Sequence, residues 1–177
     1  MGEISPLRRR RGIRSGKLPS PARRRDRPDP ARSRRLKGFM LIRLIQEAVD
    51  SGEALQEVRH PSCGAVALFE GNIREQNEGR QVLALEYEVY ERLFHAELRR
   101  IFAEAKERWS FYKAALIQRV GRLEIGETGI VLAVSAAHRR EALEACAYII
   151  EEFKRRAPVW KREHYPEGSE WVACHHH

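Results

Sequence analysis

Two lysines, Lys154 and Lys161, stand seven residues apart in the run FKRRAPVWKRE, with Pro158 between them. A primary amine can take up or give up a proton, or attack an electrophilic carbon, when its surroundings tune it for the task. Val159 and Trp160 give Lys161 apolar neighbours, so it should leave a partly buried strand or turn. Lys154 falls in the last turn of a helix, where the dipole alone favours a cation. The spacing leaves two readings open. The run is a solvated basic helix end, or it brings two amines to one site because the proline turns the chain between them.

Two further clusters carry positive charge where an anion can be held. Gly71-Asn72-Ile73-Arg74 follows a strand and sets a planar guanidinium after a flexible turn. A solvated loop arginine is the plainer alternative there. In SAAHRREA, residues 135–142, His138 and Arg139 stand where an apolar strand passes into a helix. The free N–H groups of a helix start bind phosphate readily. Basic side chains at that end oppose the dipole unless an anion is present. No Ser-His-Asp order, nucleotide-binding glycine loop or metal-ligand spacing occurs, so neither a resident metal nor a cofactor is expected.

These residues need elements to position them. MLIRLIQE, from Met40, reads as a short strand, and GAVALFEGN (64–72) as another, followed by the loop EGNIREQNEGR. In QVLALEYEVY, Leu83, Leu85, Tyr87 and Val89 alternate with Val82, Ala84, Glu86 and Glu88, the period of a half-buried strand. Glu86 and Glu88 then share a solvated face. Phe94, Leu98, Ile101, Ala105 and Trp109 recur at helical spacing and predict an amphipathic helix of about five turns. AALIQRVGRLEIG and GIVLAVSAA read as two strands joined around Gly126 and Gly129, the second apolar throughout as a central strand should be. Leu143, Cys146, Ile150 and Phe153 form the buried stripe of a second helix, which Pro158 stops. EWVA closes the chain as a short strand beyond a Pro166–Gly168 turn. The expected class is α+β, with two long amphipathic helices and about five or six strands.

The 177 residues suffice for one domain with an appendage, and no run reaches the length of a membrane helix. The net charge of +8 is unevenly spread. Residues 1–39 hold 14 Lys and Arg against 3 Asp and Glu, while residues 40–177 hold 19 against 22. That first segment, with five of the eight prolines, reads as a disordered basic extension of a domain starting at Met40, with a solvated nucleic-acid-touching tail and an arginine-rich organelle presequence as the other readings. The closing residues 175–177, all His, read as a tag remnant. The folded part is mildly acidic, so the overall basicity is poor evidence for nucleic-acid binding. Cys63, Cys146 and Cys174 are odd in number and far apart, which argues against a disulfide framework or zinc site and for a reducing, cytoplasmic setting. Cys146 reads as a buried small hydrophobe, and nothing near Cys63 activates it.

Across residues 40–173 the chain resembles the large, catalytic subunit of molybdopterin synthase. The resemblance rests on GAVALFEGNIREQNEGRQVLALEYEVY, on the AHR at 137–139, on the K-x-x-x-P-x-W-K-[KR]-E pattern from Lys154 to Glu163, and on the closing PEGSEWV, in that order. It implies an α/β-hammerhead type of fold with a mixed sheet. It also implies an activity: conversion of cyclic pyranopterin monophosphate to molybdopterin by installing two sulfurs as a dithiolene. The sulfur would come as a thiocarboxylate on the C-terminal glycine of a small ubiquitin-like carrier subunit, whose tail enters a pocket of the large subunit. Two large subunits would pair as a homodimer at the centre of a heterotetramer. By motif position, Arg74, His138 and Arg139 would contact the anionic substrate, and Lys154 and Lys161 would be the catalytic pair. Arg162 and Glu163 would line the same pocket, with Asn72 and Ile73 beside Arg74. The resemblance departs at Asn72, where relatives can carry a lysine. Two alternatives stay open on sequence: a scaffold for the small subunit that has lost catalysis, and a nucleic-acid-binding module working through the arginine-rich extension.

Overall fold

The computed structural model describes residues 38–173. The basic extension, apart from Gly38 and Phe39, and the closing histidines lie outside the described residues. The main sheet has four strands in the order β1 (Met40–Ile45), β6 (Phe111–Arg119), β8 (Thr128–Ala136) and β2 (Ala65–Asn72). It is mixed: β1 runs parallel to β6, and the other two pairings are antiparallel. β8 lies inside the sheet and is buried along nearly its whole length, as its unbroken apolar run requires.

Two long helices cover one face of this sheet. α2 (Glu91–Arg108) buries Phe94, Leu98, Ile101 and Ala105 as their spacing predicts, with Phe102 beside them. Trp109 lies just past its end, and its indole N–H donates to Glu144 at 2.8 Å. α3 (Arg139–Arg156) runs from the end of β8 to the proline break. Its buried stripe includes Cys146, Ile150 and Phe153 but not Leu143, which is 59% exposed. Ala142, Ala145 and Ile149 complete the contact instead, and Leu143, one residue and about 100° round the helix from Ala142, faces outward. Arg156 joins the two helices through Glu97 (2.6 Å) and Glu104 (2.6 Å) on α2 and Glu152 (3.0 Å) on α3.

The opposite face of the sheet is covered by a helix that the apolar pattern did not disclose. α1 (Ser51–Glu57) spans two turns and sets Ala54 and Val58 against Ala115, Ile117, Val131 and Ala133. Two contact positions are too few to display a period. Its start was nonetheless written in the chain: Asp50 caps Gly52 N–H at 2.8 Å, and Glu53 stands at the position of a capping box.

The second sheet is antiparallel, in the order β10 (Gly168–Ala173), β9 (Val159–Tyr165), β5 (Ala84–Val89) and β7 (Gly121–Glu124). AALIQRVGRLEIG is therefore not one strand. It divides into β6 and β7, which belong to different sheets, and the chain crosses at Gly121 with φ of 85°. Leu83, expected on the buried face of the alternating strand, precedes β5 and is exposed, whereas Ala84 and Leu85 are buried. The loop expected after β2 contains a small hairpin, β3 (Gln76–Asn77) and β4 (Arg80–Gln81). Its turn residues Glu78 and Gly79 both have positive φ, 50° and 79°, which defines a type I′ turn. Among the described residues no helix is long and apolar enough to cross a membrane. The α+β expectation stands, with a third helix and a divided set of strands.

Candidate active site

A pocket of about 470 Å³ lies between the two sheets, beside the last turn of α3 and the β3–β4 hairpin. Pro158 makes it possible. The helix ends at Arg156, the chain turns at Ala157, and β9 then runs back along β5. Lys154, from the helix end, and Lys161, from β9, consequently line the same pocket. Phe69, Ile130, Ile150 and Phe153 supply an apolar wall, and the Lys154 ammonium lies 5.8 Å from the Phe69 ring centre. The Tyr87 ring lies so close to Gly129 that a Cβ there would come within 2.9 Å of it.

Lys161 is not surrounded by apolar groups alone. Alternation along β9 puts Lys161, Glu163 and Tyr165 on one face. The Lys161 ammonium meets Glu163 Oε1 at 3.0 Å. Glu163, only 2% exposed, also accepts from the Asn77 amide at 3.2 and 3.0 Å and from the Tyr165 hydroxyl at 2.7 Å. Burial pushes this carboxyl upward, but the donors Tyr165, Lys161 and Asn77 outweigh it and hold it below the ordinary carboxylate range. Burial, together with the bond to Glu163, pushes the Tyr165 phenol up to about 12.

The cluster at the end of β2, whose Gly71 and Asn72 still belong to the strand, reaches the pocket with three different fates. Ile73 is buried in a small core with Leu85 and Leu123 and sets the backbone there. Asn72 lines the pocket at its edge, its side-chain oxygen accepting from Thr128 at 2.9 Å. Arg74 lines it too, is exposed, and makes no ion pair with the described residues. Its guanidinium is available for an anion.

The remaining expected site residues lie elsewhere. Arg162 points from the other face of β9, where it pairs with Glu86 and lies 5.2 Å from the Trp171 ring centre. Glu86 therefore does not sit on a merely solvated face; hydrogen bonding and charge from Arg162 hold its carboxyl low. His138 stands at the N-cap position of α3 without a side-chain capping bond, and Arg139 begins the helix; both are exposed and neither lines the pocket. Fifteen residues of helix separate Arg139 from Lys154, about 22 Å at 1.5 Å per residue. Sequence reasoning missed Asn77 and Gln118, which also line the pocket. The Asn-Glu-Gly turn signal marked the hairpin that carries Asn77; nothing local marked Gln118, a buried amide within β6.

Among the described residues no three His, Cys, Asp or Glu side chains are grouped to hold a metal. The arrangement can bind an anion through Arg74 and move protons beside it through two amines, one of them anchored by a carboxylate. A cationic pocket of this kind, between a helix-covered mixed sheet and a second antiparallel sheet, has the form of an enzyme site for a small anionic molecule.

Comparison with known proteins carries the assignment further. The family model described as MoaE protein matches residues 44–156. The molybdopterin synthase catalytic subunit of Pyrococcus abyssi is 45% identical over 142 residues, covering 79% of this chain and 96% of the relative. The crystal structure of molybdopterin synthase from Staphylococcus aureus superposes with a TM-score of 0.70 at 32% identity, covering 73% of this chain and 94% of that one. A complex of subunits 1 and 2 of molybdopterin-converting factor from Helicobacter pylori shares the fold, with a TM-score of 0.63 at 24% identity, covering 74% and 89%. The chain belongs to the family of molybdopterin synthase catalytic subunits, enzymes of molybdenum cofactor biosynthesis.

Proposed function

We propose that this chain transfers sulfur from the thiocarboxylated C-terminus of a small carrier subunit to cyclic pyranopterin monophosphate, forming the dithiolene of molybdopterin. The observation that carries this reading is the delivery of Lys154 and Lys161 to one pocket by the helix end and the strand that follows it. Each carrier tail delivers one sulfur and is left as a carboxylate, so two tails serve each dithiolene, a water must supply oxygen to each acyl carbon, and protons must move at both partners. Lys154 and Lys161 act there as proton donors and acceptors, and Arg74 holds negative charge on the substrate. The Helicobacter pylori complex supports a small subunit as the partner in trans. A cytoplasmic setting suits this reading, because Cys63 and Cys146, which form no disulfide among the described residues, would stay reduced there.

His138 and Arg139 enter this scheme from a second copy. At about 22 Å along α3 they cannot join their own chain's Lys154 around one small substrate. A homodimer with a two-fold axis, at the centre of a heterotetramer, would bring the helix start of one copy to the pocket of the other and form two such composite sites. The test mixes two inactive variants, Lys154→Ala and Arg139→Ala, and adds pyranopterin and thiocarboxylated small subunit. Sites shared between copies give back about a quarter of wild-type dithiolene formation, from the one intact site in each mixed dimer. Sites contained within one copy give back none. Failure of the wild-type chain to form dithiolene at all would overturn the function itself.

A further inference from the structure

The β3–β4 hairpin clasps β9 at two points, through Asn77 and Arg80, neither of which is among the residues expected to meet substrate. Asn77 and Arg80 are cross-strand partners in the hairpin. The Asn77 amide nitrogen donates to both oxygens of Glu163, at 3.2 and 3.0 Å. Arg80 lies over the Tyr165 ring at 3.6 Å and pairs with Glu167 and Glu170, at 2.8 and 2.9 Å, around the β9–β10 turn. Tyr165 in turn donates to Glu163 at 2.7 Å. The Glu163 carboxylate is thus fixed from the hairpin side by Asn77 and from its own strand by Tyr165, leaving Oε1 to meet Lys161 at 3.0 Å.

An ammonium on a four-carbon stem has no preferred direction of its own. Here its direction follows from the plane of the carboxylate it meets, and that plane is set by the two donors. We infer that Asn77 and Tyr165 are positioning residues of the reaction: by holding the Glu163 carboxylate from both sides they aim the Lys161 amine into the pocket. The hairpin strands are two residues each, so the hairpin has little core of its own and serves as the carrier that brings Asn77 across. This inference rests on the reading of Lys161 as a reacting group.

The test measures single-turnover dithiolene formation by the full chain with excess thiocarboxylated small subunit, across a range of pyranopterin concentrations. Asn77→Ala should lower the limiting rate about tenfold, with half-saturation within about twofold of wild type, because orientation is lost while binding is kept. Asn77→Ser, which keeps one donor, should fall between. Asn77→Asp, which sets a second carboxylate against Glu163, should be slower than Asn77→Ala. Tyr165→Phe removes one oxygen and leaves the ring beneath Arg80, so it decides the matter if Asn77→Ala does not fold. Limiting rates within about twofold of wild type for Asn77→Ala and Tyr165→Phe would overturn the inference, as would losses confined to half-saturation. Lys161→Ala is measured in parallel. If it is inactive while the Asn77 and Tyr165 variants are normal, only the inference fails. If it keeps the wild-type rate, the reading of Lys161 fails and the inference with it.

Discussion

Replacing Glu163 by glutamine should cost the fold a definite amount, and the loss should depend on pH in a definite direction. Three donors converge on this carboxylate, and it is 2% exposed. Glutamine removes the charge that Lys161 meets and turns an N–H₂ group toward donors that need an acceptor. Breaking a buried ion pair by removing one partner costs about 3–5 kcal/mol. Lys161 keeps 23% of its side chain exposed and can swing partly into water, which sets the expected loss at the lower end, about 3 kcal/mol at pH 7. For a domain of this size that corresponds to a fall in Tm of about 10 °C. Because the folded carboxyl titrates below its unfolded value, its contribution is complete above about pH 4.3 and is lost as pH falls through the lower folded value. The glutamine variant has no such group, so the gap between the two proteins should close in acid. Urea denaturation at pH 7, 5 and 3.5 measures it. A gap under about 1 kcal/mol at pH 7, or one that stays constant into acid, would refute the reasoning.

Arg156→Met leaves Glu97, Glu104 and Glu152 near one another between α2 and α3, and should cost about 2–3 kcal/mol at pH 7 by urea denaturation. Arg156 holds Glu104 low, and it also holds Glu152 low against the effect of burial, so this cost too should shrink as pH falls below about 4. Ile149→Ala, at a fully buried position of α3, should cost about 3 kcal/mol, while Leu143→Ala six residues earlier should cost under about 0.5. A comparable loss at both positions would contradict the buried face assigned to that helix.

Much of this architecture could be read from the chain because its signals are local. The apolar residues from Phe94 to Trp109, spaced by three and four, marked α2, and the unbroken apolar run of β8 marked an interior strand. What escaped depends on contacts distant in sequence. Whether Val120-Gly121 continues a strand or changes sheets is decided by which neighbours accept β7, and β5 lies more than thirty residues upstream of it. Leu143 looked like core because hydrophobicity does not say that two alanines already occupy the contact. The candidate site divided in the same way. Proline chemistry at Pro158 made convergence of Lys154 and Lys161 thinkable, and the pocket brings them together. Strand alternation alone would have separated Arg162 from Lys161 and Glu163. The Asn77–Glu163 contact spans 86 residues and left no trace that spacing could reveal.

The account turns most directly on the two lysines. Single-turnover dithiolene formation by Lys154→Ala and Lys161→Ala, each reconstituted with thiocarboxylated small subunit and pyranopterin, tests them against the wild-type chain. A loss of about 100-fold or more is expected in each, with partner binding preserved. Thermal unfolding should be unchanged in Lys154→Ala, whereas Lys161→Ala, which leaves the buried Glu163 without its cation, should unfold at a lower temperature while staying folded under the assay conditions. A near-normal rate in either variant would contradict it.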